Sequence, residues 1–337
     1  IQEGFYLYLE VLFMDLAIIF ISLLLLMFFA YRGFSLIFIA PIFAVLAAIT
    51  SDYTSMPVYS ELYMTKAAEY IKSYYPVFLL GAVFAKIMEE GGLAASVAAK
   101  IVSVLGKERA ILAVLLGCGV LTYGGLSVFV VAFVMYPFAA ILFKQADIPK
   151  RLLPAILWMG IFTYSMVSLP GTPQIQNIIP AAVFGTTTWA GIGQGLLASI
   201  LFFIIAYVWI SYRSKSLKAK GEGYGKYTLN EPENNNDELP DWRLSSIPLL
   251  MVIIINLYVS NPFNWSWAFH WDQNSLLAFA PLKLSLIASS VAKVQAIWSI
   301  NVALLISSIV AAYIGRKKLR RLGGVIHPIN TGAIGST

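Results

Sequence analysis

The stretch SLPGTPQIQNIIP, residues 168–180, lies between two strongly apolar runs, LLPAILWMGIFTYSMV at 152–167 and LLASILFFIIAYVWI at 196–210. Lipid gives an unpaired N–H or C=O no partner, so irregular backbone at membrane depth is tolerated only against protein or a water-filled cavity. Pro170 and Gly171 stop a helix. Thr172 followed by Pro173 is a helix-start pattern, with Thr as N-cap and Pro at the first helical position, where no donor is missed. The stretch therefore predicts one span, 152–190, broken into two half-helices with an extended link. The second half-helix aims free N–H groups and its dipole at the interior, which favours an anion. Gln174, Gln176 and Asn177 add amide donors without charge. Prolines alone would fit a kink sealed by interhelical hydrogen bonds; the density of amides favours a binding site.

The rest of the chain places this element in a membrane. Of 337 residues, 59% are hydrophobic and 12% charged, and the mean hydropathy is +0.78. A soluble domain carries about 25% charge. The net charge of +6 fits basic loops facing anionic lipid, and nucleic acid is not an expected partner. The single cysteine, Cys118, excludes an internal disulfide and reads as a small hydrophobe among small apolar residues. Residues 1–13 contain LEVLF, similar to part of a protease-cleavage tag, and read as a tag remnant or an N-terminal extension. A span needs about 20 apolar residues. Spans are expected near 14–31, 33–49, 75–88 (its helix continuing through Ser96), 152–167, 196–210, 247–259 and 296–313.

Residues 110–143, AILAVLLGCGVLTYGGLSVFVVAFVMYPFAAILF, are too long for one span and are broken at Tyr123-Gly124-Gly125. Both flanks are basic, with Lys107 and Arg109 before and Lys144, Lys150 and Arg151 after. Under the positive-inside rule both ends are cytoplasmic, so the segment enters and returns as a re-entrant hairpin; two very short full spans are the alternative. With that hairpin, every basic residue falls inside except Lys66, Lys72, Lys86, Lys283 and Lys293, and the N-terminus is outside. Residues 213–244 read as a polar cytoplasmic linker between a first half, 14–212, and the start of a second, 245–337. NPFNWSWAFHWDQN, residues 261–274, suits the outer interface, with His270 interfacial. At the hairpin tip Gly124 and Gly125 permit a tight turn, Ser127 can cap the returning helix, and Thr122 supplies a hydroxyl. Two adjacent broken elements able to present helix N-termini at mid-depth are the pattern of a secondary transporter site. Its candidate residues are Thr122, Gly124, Gly125, Ser127, Ser168, Gly171, Thr172, Gln174, Gln176 and Asn177, with Tyr123 and Tyr164 at its border.

These residues resemble a family. SLPGTPQIQNIIP with the following FGTT, PVFLLGAVFAKIMEEGG, GKERAILAVLLGCGVLTYGGLSVFVVAFVMYP and ADIPKRLLPA are similar, in pattern and order, to the gluconate:proton symporter (GntP) family of the ion transporter superfamily. The resemblance implies an all-α polytopic transporter with inverted repeats, resident in a bacterial cytoplasmic membrane. It implies proton-coupled uptake of small hydroxy-carboxylates, and a homodimer in which a fixed scaffold carries moving, elevator-like binding elements. The family pattern also has a second hairpin and a second broken helix, which this sequence is expected to lack, leaving its second repeat incomplete. No cofactor or metal is implied. A sodium-coupled di- or tricarboxylate carrier of the same superfamily is the nearest alternative, followed by an inactive fragment.

Charges inside the spans are few. Lys86, Glu89 and Glu90 lie toward the inner end of the third span, and intramembrane charges are usually functional. Lys86 and Glu89, three apart, are expected to pair on one helical face rather than relay protons. His327, a residue type that titrates near neutrality, lies close to the basic run RKKLRR and is placed at the cytoplasmic boundary. No zinc-protease, nucleophile-elbow or phosphate-loop motif occurs, which argues against a membrane enzyme or an ATP-driven pump. A channel would need a repeated pore-lining filter, which one broken span does not supply.

Overall fold

The computed structural model describes residues 2–50, 55–225, 239–272 and 291–335, and the described residues are helical with no strand among them. Among the described residues, seven helices are long and apolar enough to cross a membrane. The chain divides into two compact units, residues 1–75 and 76–337.

In the first unit, α1 (Gln2–Tyr31) turns back into α2 (Leu36–Thr50). Gly33, at φ +89°, makes that turn, and Arg32 N–H donates to the Phe28 and Phe29 carbonyls. The Phe29 ring packs on Phe34 and Phe43 at about 5.5 Å. A π-helical turn, Val58–Tyr63, leads into α3 (Met64–Glu90).

Helix α3 starts earlier than the span expected at 75–88 and does not continue through Ser96. It stops at Gly91, whose N–H closes on Ile87 O, and Gly92 takes a left-handed conformation at φ +72°. A separate helix, α4 (Leu93–Leu105), follows. A Cβ on Gly91 would meet Ile87 O at 2.7 Å and Gly315 Cα at 3.5 Å. The helix thus ends at a Gly-Gly pair, where the Ile87 carbonyl of the last turn leaves no room for a Cβ at Gly91 and Gly92 takes the left-handed conformation.

Residues 110–143 fold as two helices, α5 (Ala110–Tyr123) and α6 (Val128–Gln145). Gly125, at φ +95°, forms the turn. Leu126 N–H donates to Leu121 O, and Ser127 Oγ caps α6 by accepting from Val130 N–H at 3.4 Å. At 1.5 Å per residue the 14-residue and 18-residue arms are about 21 and 27 Å long. Only the second reaches the length of a candidate span. Residues 107–112 and 145–148 line one cavity, so the outer ends of both arms lie together.

The broken element follows as α7 (Leu153–Phe162), a π-helical turn (Tyr164–Ser168), an extended link, and α8 (Ile175–Val183). Its restart differs from the sequence expectation. Thr172 and Pro173 are not helical, and Gln174, with extended backbone, is the N-cap residue. Thr172 does not cap because its carbonyl is tied to Asn177 and its hydroxyl is turned into the fold. Helix α5 packs tightly on α7: a Cβ on Gly160 would lie 2.7 Å from Cys118 Cβ, and Cys118 is fully buried.

Helix α9 (Ile192–Ala219) runs beyond the span at 196–210 and into the stretch read as linker, because Arg213–Lys218 are good helix formers with solvated charges. Its large apolar residues Leu197, Ile200, Ile205 and Val208 are more than half exposed, the surface of a helix facing lipid. Helix α10 (Trp242–Ser260) begins inside the expected linker, capped by Asp241, and pairs with α11 (Val291–Arg321). A short α12 (Ile326–Gly335) follows Gly323 and Gly324. His270 is exposed.

Candidate functional site

The hairpin tip and the break in α7–α8 meet. Gln174 makes the joint: its side-chain amide donates to Thr122 O at 2.9 Å and Leu126 O at 3.2 Å, on either side of the tip. Tyr123 reaches the other way, its hydroxyl donating to Pro170 O at 2.6 Å. These bonds satisfy carbonyls that the turn and the extended link would otherwise leave bare, which at membrane depth costs several kcal/mol each.

A second set of bonds holds the link from behind. Asn177 Nδ2 donates to Thr172 O at 3.1 Å and Thr188 O at 2.8 Å. Gly171 N–H donates to Thr188 O at 2.8 Å. Asn256, fully buried on α10, donates to Gly171 O at 3.2 Å and Thr188 Oγ1 at 3.1 Å. Gly171 sits at φ +77°, and a Cβ there would overlap the Trp189 indole, so only glycine fits both the conformation and the space.

Between tip and break lies a cavity of about 220 Å³. Its polar wall is Gly125, Ser127, Pro173, Gln174 and Ile175; its apolar wall is Val77, Phe78, Gly81 and Ala82 of α3 with Leu304 of α11. The N-terminus of α8 opens onto it. Asn177 and Ile178 N–H donate to Gln174 O, whereas Ile175 and Gln176 N–H take no partner among the described residues. Four buried polar atoms around the break have no partner: Thr122 Oγ1, Thr172 Oγ1, Asn256 Oδ1 and Trp189 Nε1.

The structure thus sorts the ten sequence candidates. Gly125, Ser127 and Gln174 line the cavity. Thr122 and Gly124 lie in the tip behind it, where a Cβ on Gly124 would press on Leu249 at 2.6 Å. Gly171, Thr172 and Asn177 belong to the network that shapes the link. Gln176 is exposed, and Ser168 is half-buried and not among the lining residues. The amide N–H groups of Gln174 and Asn177 are spent on carbonyls, so the donors left for a ligand are backbone N–H groups and the Ser127 hydroxyl. Tyr164 does not border the cavity; its hydroxyl donates to Leu115 O at 2.8 Å, packing α5 on the π-helical turn.

Sequence reading missed Asn256, Thr188 and Trp189. Asn256 could have been found: it interrupts the run LLMVIIINLYVS, and a lone polar residue in a span is a functional candidate by default. Trp189 carried no such signal, because its role depends on Gly171 coming beneath it.

The charges of α3 form a separate group. Lys86 Nζ lies 2.9 Å from Glu89 Oε2, an ion pair three residues apart on one helical face. His327 Nδ1 lies 3.1 Å from Glu90 Oε2, joining α12 to the end of α3. Among the described residues no cluster of His, Cys, Asp and Glu could hold a metal ion.

A chain with seven membrane-length helices among its described residues, and with a hairpin tip held against a broken helix, is a multi-pass membrane protein. The chain belongs to the GntP permease family, whose profile, described as GntP family permease, matches residues 9–330. It is 42% identical over 308 residues to "Uncharacterized transporter YxjC" of Bacillus subtilis (strain 168), an alignment covering 88% of this chain and 64% of that protein. The chain therefore spans less than two thirds of that relative's length. No solved structure matches it.

Proposed function

We propose that this protein is a secondary active transporter of a bacterial cytoplasmic membrane, carrying small hydroxy-carboxylates such as gluconate-like sugar acids into the cell with protons. The observation that carries the reading is the cavity between hairpin tip and broken helix. It has one apolar wall, and one wall that includes Ile175, the first residue of α8, whose N–H takes no partner among the described residues. Oriented N–H groups at a helix start favour a carboxylate without placing a fixed cation beside it. The polar wall offers few side-chain anchors for a large apolar ligand. The ligand carboxylate would take the Ile175 and Gln176 N–H groups, and Ser127 Oγ would stand near its hydroxyls. Membership of a permease family and a relative named a transporter support the same reading.

The test is a thermal-stabilisation screen of the purified chain across gluconate, 3-hydroxybutyrate, lactate, glycerate and citrate, followed by uptake into vesicles. A hydroxy-carboxylate should stabilise. Stabilisation by an organic cation, with no carboxylate competing, would overturn the reading. A homodimer is proposed from the family alone; cross-linking in native membranes tests it.

One observation favours a second reading of the coupling ion. Thr122 Oγ1, Thr172 Oγ1 and Asn256 Oδ1 are buried oxygens without partners, the ligand type that sodium takes. Under proton coupling an ionophore abolishes uptake and removal of sodium does not; under sodium coupling the outcomes reverse. Lys86 and Glu89 serve the fold as an ion pair in either case.

A further inference from the structure

A second cavity, about 600 Å³, lies at the outer ends of the hairpin arms, lined by none of the residues of the proposed transport site. Lys107 and Arg109 enter it from the turn before α5, and Lys215 and Lys218 from α9. Glu108 and Asp147 are its acidic members. Asp147 is already engaged, its Oδ1 accepting from Tyr224 N–H at 2.8 Å, and Lys218 Nζ donates to Ala146 O at 2.8 Å. Lys107, Arg109 and Lys215 have no partner among the described residues. Three free cations drawn from two elements face only the Glu108 carboxylate, so the cavity keeps a surplus of positive charge with no anion to match it.

The surroundings say what kind of anion. On α9 the lining residues Tyr207, Ser211, Ser214, Lys215 and Lys218 recur at helical spacing, so one stripe runs from aromatic through hydroxyl to charge. Beside it on the same helix Ile204, Ile205, Val208, Trp209 and Tyr212 are exposed. This is an apolar face ending in aromatic residues, as helices end at a bilayer interface. A ligand here meets cations at one end and a lipid-facing helix at the other. A free phosphate would use only the first.

We propose that this cavity binds the headgroup of an anionic phospholipid, its phosphate held by Lys107, Arg109 and Lys215 and its acyl chains lying along the exposed face of α9. Basic pockets between membrane helices hold such headgroups. The bound lipid ties the base of the hairpin to α9. The inference does not depend on what the transport site carries.

The test counts bound lipid by native mass spectrometry on the full chain in neutral detergent, titrated with phosphatidylglycerol or phosphatidylcholine. Phosphatidylglycerol should be retained saturably and phosphatidylcholine should not. The triple variant Lys107→Gln, Arg109→Gln, Lys215→Gln should weaken retention at least about tenfold, since each basic residue contributes a substantial share of headgroup attraction. Removing the same charge at the end of α11, by Arg316→Gln, Lys317→Gln and Arg320→Gln, should leave retention within about twofold. If the triple variant misfolds, Lys215→Glu on the exposed surface of α9 gives the same readout, and should also lower retention. Equal loss in both triple variants would reduce the effect to general surface charge and overturn the proposal. Equal retention of the two lipids would overturn it as well, as would displacement of phosphatidylglycerol by millimolar inorganic phosphate, which would mark a free-anion site.

Discussion

Replacing Gln174 by leucine removes the joint between hairpin tip and broken helix while keeping the side chain's bulk close to native. The cost follows from what each carbonyl loses. Thr122 O also accepts from Gly125 N–H at 3.1 Å and keeps one partner; Leu126 O has no second donor among the described residues. Orphaning a buried acceptor costs about 1–3 kcal/mol, and losing one of two bonds costs about 0.5–1.5 kcal/mol. Gln174→Leu should therefore destabilise by about 2–4 kcal/mol. The assay is equilibrium unfolding of the purified protein in mixed micelles, with Gln176→Leu as the matched control. Gln176 is exposed, and its loss should stay within about 0.5 kcal/mol. Gln174→Glu should be worse than leucine at neutral pH, because a carboxylate would face two carbonyl oxygens. If Gln174→Leu unfolds at the parent's denaturant concentration, or if Gln176→Leu is equally damaging, the amide does not hold the tip and the geometry argued here is wrong.

Gly171→Ala should cost at least about 1–2 kcal/mol from the left-handed backbone alone, plus the overlap with Trp189. A double-mutant cycle with Trp189→Leu should show the second part as non-additivity, and simple additivity would refute the overlap. Tyr123→Phe should lose about 0.5–1.5 kcal/mol with the bond to Pro170 O, read by the same unfolding assay. Asn256→Leu, which strips donors from Gly171 O and Thr188 Oγ1, should reduce substrate-induced stabilisation more than Ser168→Ala does. Equal effects would place Asn256 outside the site's support. Cysteines at Lys107 and Arg151 should both label only from the cytoplasmic side; labelling of either from outside would refute the re-entrant hairpin.

Much of this architecture is written locally. A turn needs glycine whatever surrounds it, so Tyr123-Gly124-Gly125 placed the hairpin tip and Ser127 its cap. Pro170-Gly171 cannot continue a helix, so the break was legible, and so was the need to cover it at membrane depth. The three-residue spacing of Lys86 and Glu89 foretold their pair. The amide-rich motif marked the break, though not the task of each amide.

What sequence did not decide depends on partners far along the chain. Gln174 and Asn177 read as donors waiting for a ligand. Folding brings Thr122, Leu126 and Thr188 within reach of them, and a bare carbonyl in an apolar interior takes the nearest N–H. The restart of α8 moved from Pro173 to Ile175 for the same reason, since Asn177 holds Thr172 O. Asn256 gained its place only when α10 came to lie behind the link. The sequence by itself determined where the chain must break within its apolar runs, because backbone conformation is a property of neighbouring residues. The tertiary structure alone decided which polar groups seal the break and which face the cavity, because hydrogen-bond partners at that depth come only from whatever the fold packs alongside.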